Sequence, residues 1–144
     1  MSDAVVIGAV SRRIAAEALA TFAPPPDVAP SVWAERSIYI PVGNAIPGLI
    51  RFDNAPYQRE PLDLTMDADV SRISLMWGAQ VGKTTVALCG QAFRIAENPM
   101  SQIMMQPSQG DLHTWLETKF NPMVEANEAL QNRLAKPRGR EGVN

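Results

Sequence analysis

The sequence predicts an α/β fold in which a parallel sheet is flanked by helices. Two apolar stretches, 72–77 and 102–106, are expected as strands, and helices are expected over 83–97 and from about 109 to 120. A strand–helix–strand–helix order is typical of parallel strands joined by right-handed crossovers. Two strands alone would leave a sheet edge unpaired, so we expect the isolated chain to be marginally stable or to associate.

Composition restricts the class of protein. The chain has 144 residues, about one domain, and its formal net charge of −2 gives no overall electrostatic case for binding nucleic acid or membrane. The single cysteine, Cys89, excludes a disulfide framework and is expected to be a buried side chain in a reducing compartment. The start lacks the basic residues of a secretory signal, and the apolar stretch 4–10 is too short to span a membrane. These features predict a cytoplasmic protein without a membrane partner.

The chain divides into three predicted segments. Residues 1–30 are expected as an N-terminal helix over 4–22 and a proline-rich linker, because the three prolines at 24–26 cannot continue a helix. Residues 31–134 are expected to form the α/β domain, and residues 135–144 a basic flexible tail. The N-terminal helix is expected either to dock a partner or to pack back on its own domain.

Proline, glycine and capping residues set the expected element boundaries within the α/β domain. Residues 31–40 are expected as one helical turn capped by Ser31 and then extended chain, residues 41–56 as a loop, and residues 62–68 as a short helix after Pro61. Ser108 is expected to cap the helix that begins near 109. Asn121-Pro122 is expected to interrupt that helix before a helical pattern resumes over 123–134.

A glycine-containing loop between the first predicted strand and helix is the strongest functional signal. It comprises Gly78, Ala79, Gln80, Val81, Gly82, Lys83, Thr84 and Thr85. Glycines let backbone N–H groups converge on a polyphosphate, and the following helix directs its positive dipole end at the same anion. Lys83 is expected to reach β- and γ-phosphate oxygens as the catalytic cation, and the Thr84 hydroxyl to ligate Mg²⁺. The strict pattern has glycine where this chain has Trp77, so the alternative is that 82–85 simply opens an ordinary helix.

Several stretches together resemble the ATPase end of the large subunit of lambda-type phage terminases, the GpA family of DNA-packaging motors. They occur in order between about 32 and 144, as Trp33-Ala34-Glu35-Arg36, Pro56-Tyr57-Gln58-Arg59, the loop 78–85, Met105-Gln106-Pro107-Ser108-Gln109-Gly110-Asp111 and Lys119-Phe120-Asn121-Pro122-Met123. The resemblance implies an incomplete P-loop NTPase fold of the RecA/helicase-like type that binds ATP and Mg²⁺. Loops of this family often lack the first glycine, which accommodates Trp77. The resemblance also implies work in the bacterial host cytoplasm with double-stranded viral DNA, a terminase small subunit and a portal.

The resemblance assigns roles to residues around the loop. Tyr57 and Gln58 correspond to an aromatic–glutamine pair that recognises adenine, by stacking of the ring and by amide hydrogen bonds to the base edge. The alternative is a tyrosine packed at the sheet edge with the glutamine in solvent. The segment 106–111 resembles a helicase-like motif that links the nucleotide to the DNA surface, or is simply a strand exit and helix cap. Gln80 stands where some terminases have an arginine, so the loop has no arginine of its own to stabilise charge on the transferring phosphate.

Hydrolysis needs parts that the sequence lacks. An acidic strand end for Mg²⁺ and a group that orients the attacking water are expected downstream of the second helix. No apolar strand ending in two acids follows residue 134, and Asp63, Asp67 and Asp69 precede the loop strand and are poor substitutes. We therefore expect the chain to be truncated before these acids and before the nuclease domain, and not to hydrolyse ATP alone.

Two other functions compete with the packaging ATPase. One is a fragment of another helicase-like P-loop ATPase. The other is a non-catalytic interaction module, in which the N-terminal helix and linker bind a partner and the loop is vestigial.

Overall fold

The computed structural model describes residues 12, 14–16, 18, 27–42 and 46–134. In chain order its helices are α1 (Pro30–Ser37), α2 (Arg59–Asp63), α3 (Lys83–Ala96), α4 (Gln109–Trp115), α5 (Asn121–Ala126) and α6 (Glu128–Gln131). Two short strands, β1 (Tyr39–Ile40) and β2 (Gly48–Leu49), pair antiparallel with Tyr39 opposite Leu49. Short 3-10 turns lie at Phe52–Asn54, Pro56–Gln58 and Leu64–Met66, and a π-helical turn at Leu116–Phe120 joins α4 to α5. The fold is therefore mixed and mainly helical, with a small two-stranded sheet.

Parts of the three predicted segments lie outside the described residues. Of the predicted helix over 4–22, residues 12, 14–16 and 18 are described, and all five are helical. Residues 23–26 of the predicted linker and the whole predicted tail, 135–144, fall outside the description. Within the described ranges, no helix is long and apolar enough to cross a membrane.

Helix α3 is the centre of the core. Its buried residues recur every three or four positions, which places Val86, Cys89, Phe93 and Ala96 on one face. The Trp33 ring on α1 meets Phe93 edge-on with ring centroids 5.4 Å apart, and the Trp33 indole N–H donates to Glu97 Oε1 at 2.9 Å. The other large buried side chains are contributed by the surrounding elements, at Ile38, Ile50, Phe52, Leu62, Met123 and Leu130. The predicted helix over 83–97 is thus confirmed, with its end at Ala96.

The two predicted strands are not formed. Residues 72–77 and 102–106 have no regular secondary structure, and neither segment pairs with another described segment as a strand. Exposure alternates along 72–77, and Leu75 and Trp77 pack against the core while Met76 remains 94% exposed. A strand needs a hydrogen-bonded neighbour, and apolar alternation alone specifies only an extended chain with one packed side. The parallel sheet expected from the sequence is therefore absent from the described residues.

Several predicted boundaries also change. Pro30 rather than Ser31 begins α1, and Ser31 is not its cap: the backbone N–H and hydroxyl of Ser31 donate to the carboxylate of Asp63 at 2.7 and 2.8 Å. Helix α2 begins at Arg59, so Pro61 lies inside it rather than before it. The predicted loop 41–56 contains β2 and the 3-10 turn Phe52–Asn54, which the sequence did not indicate.

The predicted break at Asn121-Pro122 is replaced by a π-helical turn. Proline within a helix removes one N–H donor, and its ring clashes with the carbonyl four residues earlier, which here belongs to Thr118. A local π turn over Leu116–Phe120 relieves this clash and lets the chain continue directly into α5. The predicted cap at the start of α4 is confirmed, since Ser108 Oγ accepts from the Asp111 N–H at 3.1 Å.

One buried amide ties the β-hairpin to the C-terminal helices. Asn127, only 3% exposed, accepts from the Tyr39 N–H at 2.7 Å and donates to the carbonyls of Tyr39 and Met123 at 3.1 and 2.6 Å. Because the two hydrogen bonds between Asn127 and Tyr39 join residues 88 positions apart, they fix β1 beside α5. That arrangement forms one wall of the cleft described next.

Candidate functional site

The loop before α3 has two residues in the left-handed conformation. Gly82, the residue that precedes the helix, has φ +88°, and Gln80 has φ +58°, the one positive value among non-glycine residues in the described part of the chain. A Cβ at position 82 would lie 2.2 Å from Gln58 Nε2, so glycine is required there on both conformational and steric grounds. Trp77 has no positive φ. The indole at the position of the missing first glycine is therefore accommodated without backbone strain.

Tyr57 and Gln58 both form hydrogen bonds with the loop. Both donate to the carbonyl of Val81, the Tyr57 hydroxyl at 3.2 Å and Gln58 Nε2 at 3.0 Å. The Tyr57 ring also meets the Trp77 indole edge-on, with centroids 5.0 Å apart. Gln58 is 8% exposed and Tyr57 51% exposed. These contacts connect the aromatic–glutamine pair directly to the loop, an arrangement that neither sequence alternative described.

The Lys83 ammonium folds back over the loop. Its Nζ donates to the carbonyl of Trp77 at 3.0 Å and to the carbonyl of Gly78. Helix α3 has no side-chain cap, and the first backbone bond accepted before the helix runs from the Val86 N–H to the Gly82 carbonyl at 3.0 Å. The N–H groups at 83–85 are therefore left for another acceptor, at the positive end of a 14-residue helix.

A cleft of about 660 Å³ opens at this helix start. Its apolar end is formed largely by the β-hairpin and its flanks, namely Ile38, Ile40, Ile46, Leu49 and Ile50. Its polar end includes the loop and first helical turn, namely Gln80, Gly82, Lys83, Thr84 and Thr85. The volume lies within the range of small-molecule sites, and an apolar end joined to a polar end suits a ligand with both characters.

The charge of the cleft is entirely positive. Among the described residues that line it, Arg51, Lys83 and Lys119 are cationic and none is acidic. Arg51 and Lys119 make no ion pair or side-chain hydrogen bond with any described residue. Arg59, which lies outside the cleft, is by contrast neutralised by Glu35 at 3.0 Å and Asp53 at 2.8 Å. In a chain of net charge −2, this concentration of unpaired cations favours an anionic ligand.

A second, smaller cavity adjoins the polar end of the cleft. Its volume is about 380 Å³, and it shares Thr84, Thr118 and Lys119 with the main cleft. It adds Asp111, whose carboxylate accepts from the Ser108 hydroxyl at 2.7 Å. The two cavities therefore meet beside the first turn of α3.

The structure separates the predicted site residues into two groups. Six of them line the main cleft, namely Gln58, Gln80, Gly82, Lys83, Thr84 and Thr85. The other four, Tyr57, Gly78, Ala79 and Val81, do not line it, although Tyr57, Gly78 and Val81 contact residues that do. Sequence reasoning missed Arg51, Asn54 and Lys119. Lys119 belongs to a stretch singled out only for its family resemblance, and nothing local marked Arg51 or Asn54.

The residues present fit a magnesium-bound polyphosphate in part. Thr84 lies in both cavities, and its hydroxyl makes no hydrogen bond with the described residues. No group of three or more His, Cys, Asp or Glu side chains in the described part of the chain could hold a metal ion by itself. Protein sites for Mg²⁺ with a nucleotide ordinarily supply one or two carboxylates besides the phosphate oxygens, so the Thr84 hydroxyl would provide only part of the protein's share of the coordination.

The acids upstream of the loop have structural contacts. Asp63 accepts from Ser31 as described above, and the Asp67 carboxylate accepts from the Asp69 N–H at 2.9 Å within a turn. None of these three acids lines either cavity. His113 pairs with Glu117 at 3.1 Å on an exposed helix face, away from both.

Comparison with known proteins supplies one match. Residues 44–144 match the family model of the ATPase domain of the phage terminase large subunit gpA. Searches of curated proteins and of solved structures gave no significant match. The matched range contains the loop, helix α3 and all three cationic residues of the cleft. Since the match covers more than half of the chain, this protein belongs to the phage terminase large subunit gpA ATPase-domain family.

Proposed function

We propose that this chain is the ATP-binding portion of a packaging motor, and that the main cleft binds a nucleoside triphosphate with Mg²⁺. In this proposal the segment 78–85 is a P-loop, and the segments 72–77 and 102–106, which are unpaired in the described residues, would pair as strands of a P-loop NTPase sheet only when further residues of the motor supply their neighbours. Exposure alternates along both segments, which is the side-chain pattern of an extended chain with one packed side.

The observation that carries the proposal is the charge of the cleft. Three cations and the unpaired N–H groups of a helix start face a space without a single described carboxylate. A polyphosphate satisfies all of these groups together, whereas a neutral ligand would leave the cations unpaired. The apolar hairpin end of the same cleft suits a base and sugar.

Each predicted residue has a role in this assignment. Lys83 exchanges the carbonyls of Trp77 and Gly78 for phosphate oxygens, and Thr84 ligates Mg²⁺. Backbone N–H groups of the loop and helix start bind phosphate, and Gly82 allows their approach. Gln58, buried at the cleft wall, keeps the loop in place through Val81 and has its amide oxygen left to accept from the adenine amino group. Tyr57 supports Trp77 and the loop rather than the base.

The intact motor would use this nucleotide to move double-stranded viral DNA in the cytoplasm of the bacterial host, together with a small subunit and a portal. The cleft described here has no acid to hold Mg²⁺ and no group placed to orient water. We therefore propose that the chain binds ATP but does not hydrolyse it without further residues, and that oligomerisation or the rest of the motor supplies them.

Binding of Mg²⁺–ATP by isothermal titration calorimetry tests this proposal. Lys83→Ala removes a charge from the cleft, and we expect it to weaken binding at least about tenfold, because a charge-assisted hydrogen bond contributes about 1.5–3 kcal/mol. Arg133→Ala removes a charge from an exposed residue that lines neither cavity, and we expect it to leave affinity unchanged. Thermal denaturation of each variant checks that the fold is retained.

Two outcomes would contradict the proposal. Equal affinity of wild type and Lys83→Ala would show that the loop does not grip the phosphates. No detectable binding by either protein would favour the interaction module with a vestigial loop. A pull-down that compares the full chain with a variant lacking residues 1–30 then tests that module directly. Unchanged association with the captured partner would exclude it.

A further inference from the structure

We infer that Lys119 binds the terminal phosphate of the nucleotide and supplies the cation that the loop lacks. This inference rests on the proposed nucleotide site and assigns it a γ-phosphate subsite. The subsite lies at the junction of the two cavities, where Lys119 and Thr118 meet Thr84 of the first helical turn.

The loop itself leaves a charge deficit at this position. Gln80 lines the cleft with a neutral amide that makes no side-chain hydrogen bond with any described residue. An amide orients a phosphate oxygen but does not neutralise its charge. Lys83 is the one cation of the loop, so a triphosphate, with its larger charge, needs another positive group from outside the loop.

Lys119 is placed at the correct end of the cleft. Thr84 is the residue that would hold Mg²⁺, and that ion would neutralise the outer phosphates, so the terminal phosphate of a bound nucleotide would be expected near Thr84. Lys119 shares both cavities with Thr84, whereas Arg51 lines only the main cleft, with the hairpin residues of its apolar end. The position of Arg51 therefore suits the nucleoside side and that of Lys119 the terminal phosphate.

The π-helical turn holds Lys119 in this position. Trp115, directly before the turn, and Phe120, its last residue, stack with ring centroids 5.4 Å apart and planes inclined by 25°. The Thr118 hydroxyl donates to the Thr114 carbonyl at 2.7 Å. π turns of this kind are frequent at functional sites because they change the direction in which a helix presents its side chains.

The charge of Lys119 is available for a ligand. The nearest acid along the helix, Glu117, pairs with His113 at 3.1 Å, and Lys119 has no ion pair or hydrogen bond with any residue in the described ranges. The one carboxylate lining the smaller cavity, Asp111, is engaged by Ser108. Phosphate oxygens are the partner that this unpaired ammonium would meet when a nucleotide occupies the cleft.

The test compares affinity for two nucleotides that differ by one phosphate. Mg²⁺-bound non-hydrolysable ATP analogue and Mg²⁺-bound ADP are titrated into wild type, Lys119→Ala, Lys119→Arg and the control Arg133→Ala. We expect Lys119→Ala to lose about tenfold affinity for the triphosphate and less than about twofold for the diphosphate. Lys119→Arg keeps the charge and should restore most of the triphosphate affinity, a recovery that a purely structural role would not produce. Arg133→Ala should match wild type with both ligands.

The outcomes separate this inference from the proposed function. If wild type binds both nucleotides, and Lys119→Ala has unchanged affinity or loses the same affinity for both, the γ-phosphate subsite is wrong while the nucleotide site still stands. Wild type that binds neither nucleotide overturns the proposed function and this inference with it. Failure of Lys119→Arg to recover triphosphate affinity, in a folded variant, also contradicts the subsite.

Discussion

Gly82 and Gly78 provide a matched test of how the loop before α3 is built. Gly82→Ala places a methyl group at φ +88°, and that group would lie 2.2 Å from Gln58 Nε2 and 2.9 Å from its Cδ. Gly78→Ala introduces the same methyl group where no atom lies within 4 Å and φ is not positive. The two substitutions have the same chemistry and differ only in the surroundings that the fold supplies.

The expected cost of Gly82→Ala has two parts. The left-handed conformation costs an alanine about 1–2 kcal/mol. Displacement of the Gln58 amide breaks its 3.0 Å hydrogen bond to the Val81 carbonyl, and the loss of a buried hydrogen bond costs about 1 kcal/mol. We therefore expect Gly82→Ala to lower the free energy of unfolding by about 2–3 kcal/mol, and Gly78→Ala to change it by less than about 1 kcal/mol.

Urea denaturation followed by tryptophan fluorescence measures both variants. With an m value of about 2 kcal/mol/M, a loss of 2 kcal/mol lowers the denaturation midpoint by about 1 M. Adding Gln58→Ala separates the steric part from the conformational part. Without the amide, Gly82→Ala should cost about 1 kcal/mol less than it does in the wild-type background. Equal midpoints for Gly82→Ala and Gly78→Ala, or full additivity with Gln58→Ala, would refute this account of the loop.

Two further predictions concern the walls of the cleft. Asn127→Ala leaves the backbone groups of Tyr39 and the carbonyl of Met123 without their partner, so we expect the free energy of unfolding measured in urea to fall by about 2–3 kcal/mol. The control Asn132→Ala, at an exposed position, should change it by less than about 0.5 kcal/mol. Equal effects of the two substitutions would contradict the role of Asn127. Burial raises the pKa of the Cys89 thiol from 9.0 to about 12, so the unfolded thiol ionises first and stability falls as pH rises above 9.0. The decline attributable to this group is about 1.4 kcal/mol per pH unit, and Cys89→Ala should remove it, so parallel pH profiles of the two proteins up to about pH 10 would exclude it.

Local patterns predicted the helical framework well. Helix α3 and the Ser108 cap follow from short-range signals, namely the spacing of apolar residues and a hydroxyl three positions before Asp111, and both are present. The stretch around Pro122 was misjudged, because proline was expected to end a helix and the structure instead widens the preceding turn. Helix propensity gives the free-energy cost of a residue such as proline in a regular helix. It does not predict which irregular turn avoids that cost.

The extended segments show the limit of sequence patterns for sheets. In the structure, Leu75 and Trp77 of the apolar stretch 72–77 pack against the core. A strand, however, is defined by a neighbour, and that neighbour is remote in sequence. The small hairpin depends on a nonlocal contact as well, because its two residues on each side pair where Asn127, between α5 and α6, fixes β1. Sheet prediction therefore fails wherever the deciding contact is nonlocal.

The residues of the candidate site are likewise of two kinds, some close together in sequence and others brought together only by the fold. Sequence reasoning missed those of the second kind. Gln80, Gly82, Lys83 and Thr84 lie within a few positions of one another, so their chemistry is visible in the sequence before any fold is known. Lys119 lies 36 positions beyond Lys83, and a single lysine on a polar helix is ordinarily a solvated charge. What distinguishes it is its surroundings: a π turn beside the first turn of α3, and two cavities whose described lining includes a single acid, Asp111, which accepts from the Ser108 hydroxyl. The proposed role of this lysine thus rests less on its residue type than on the lack of an ion-pair partner among the described residues, and that property exists only after the chain has folded.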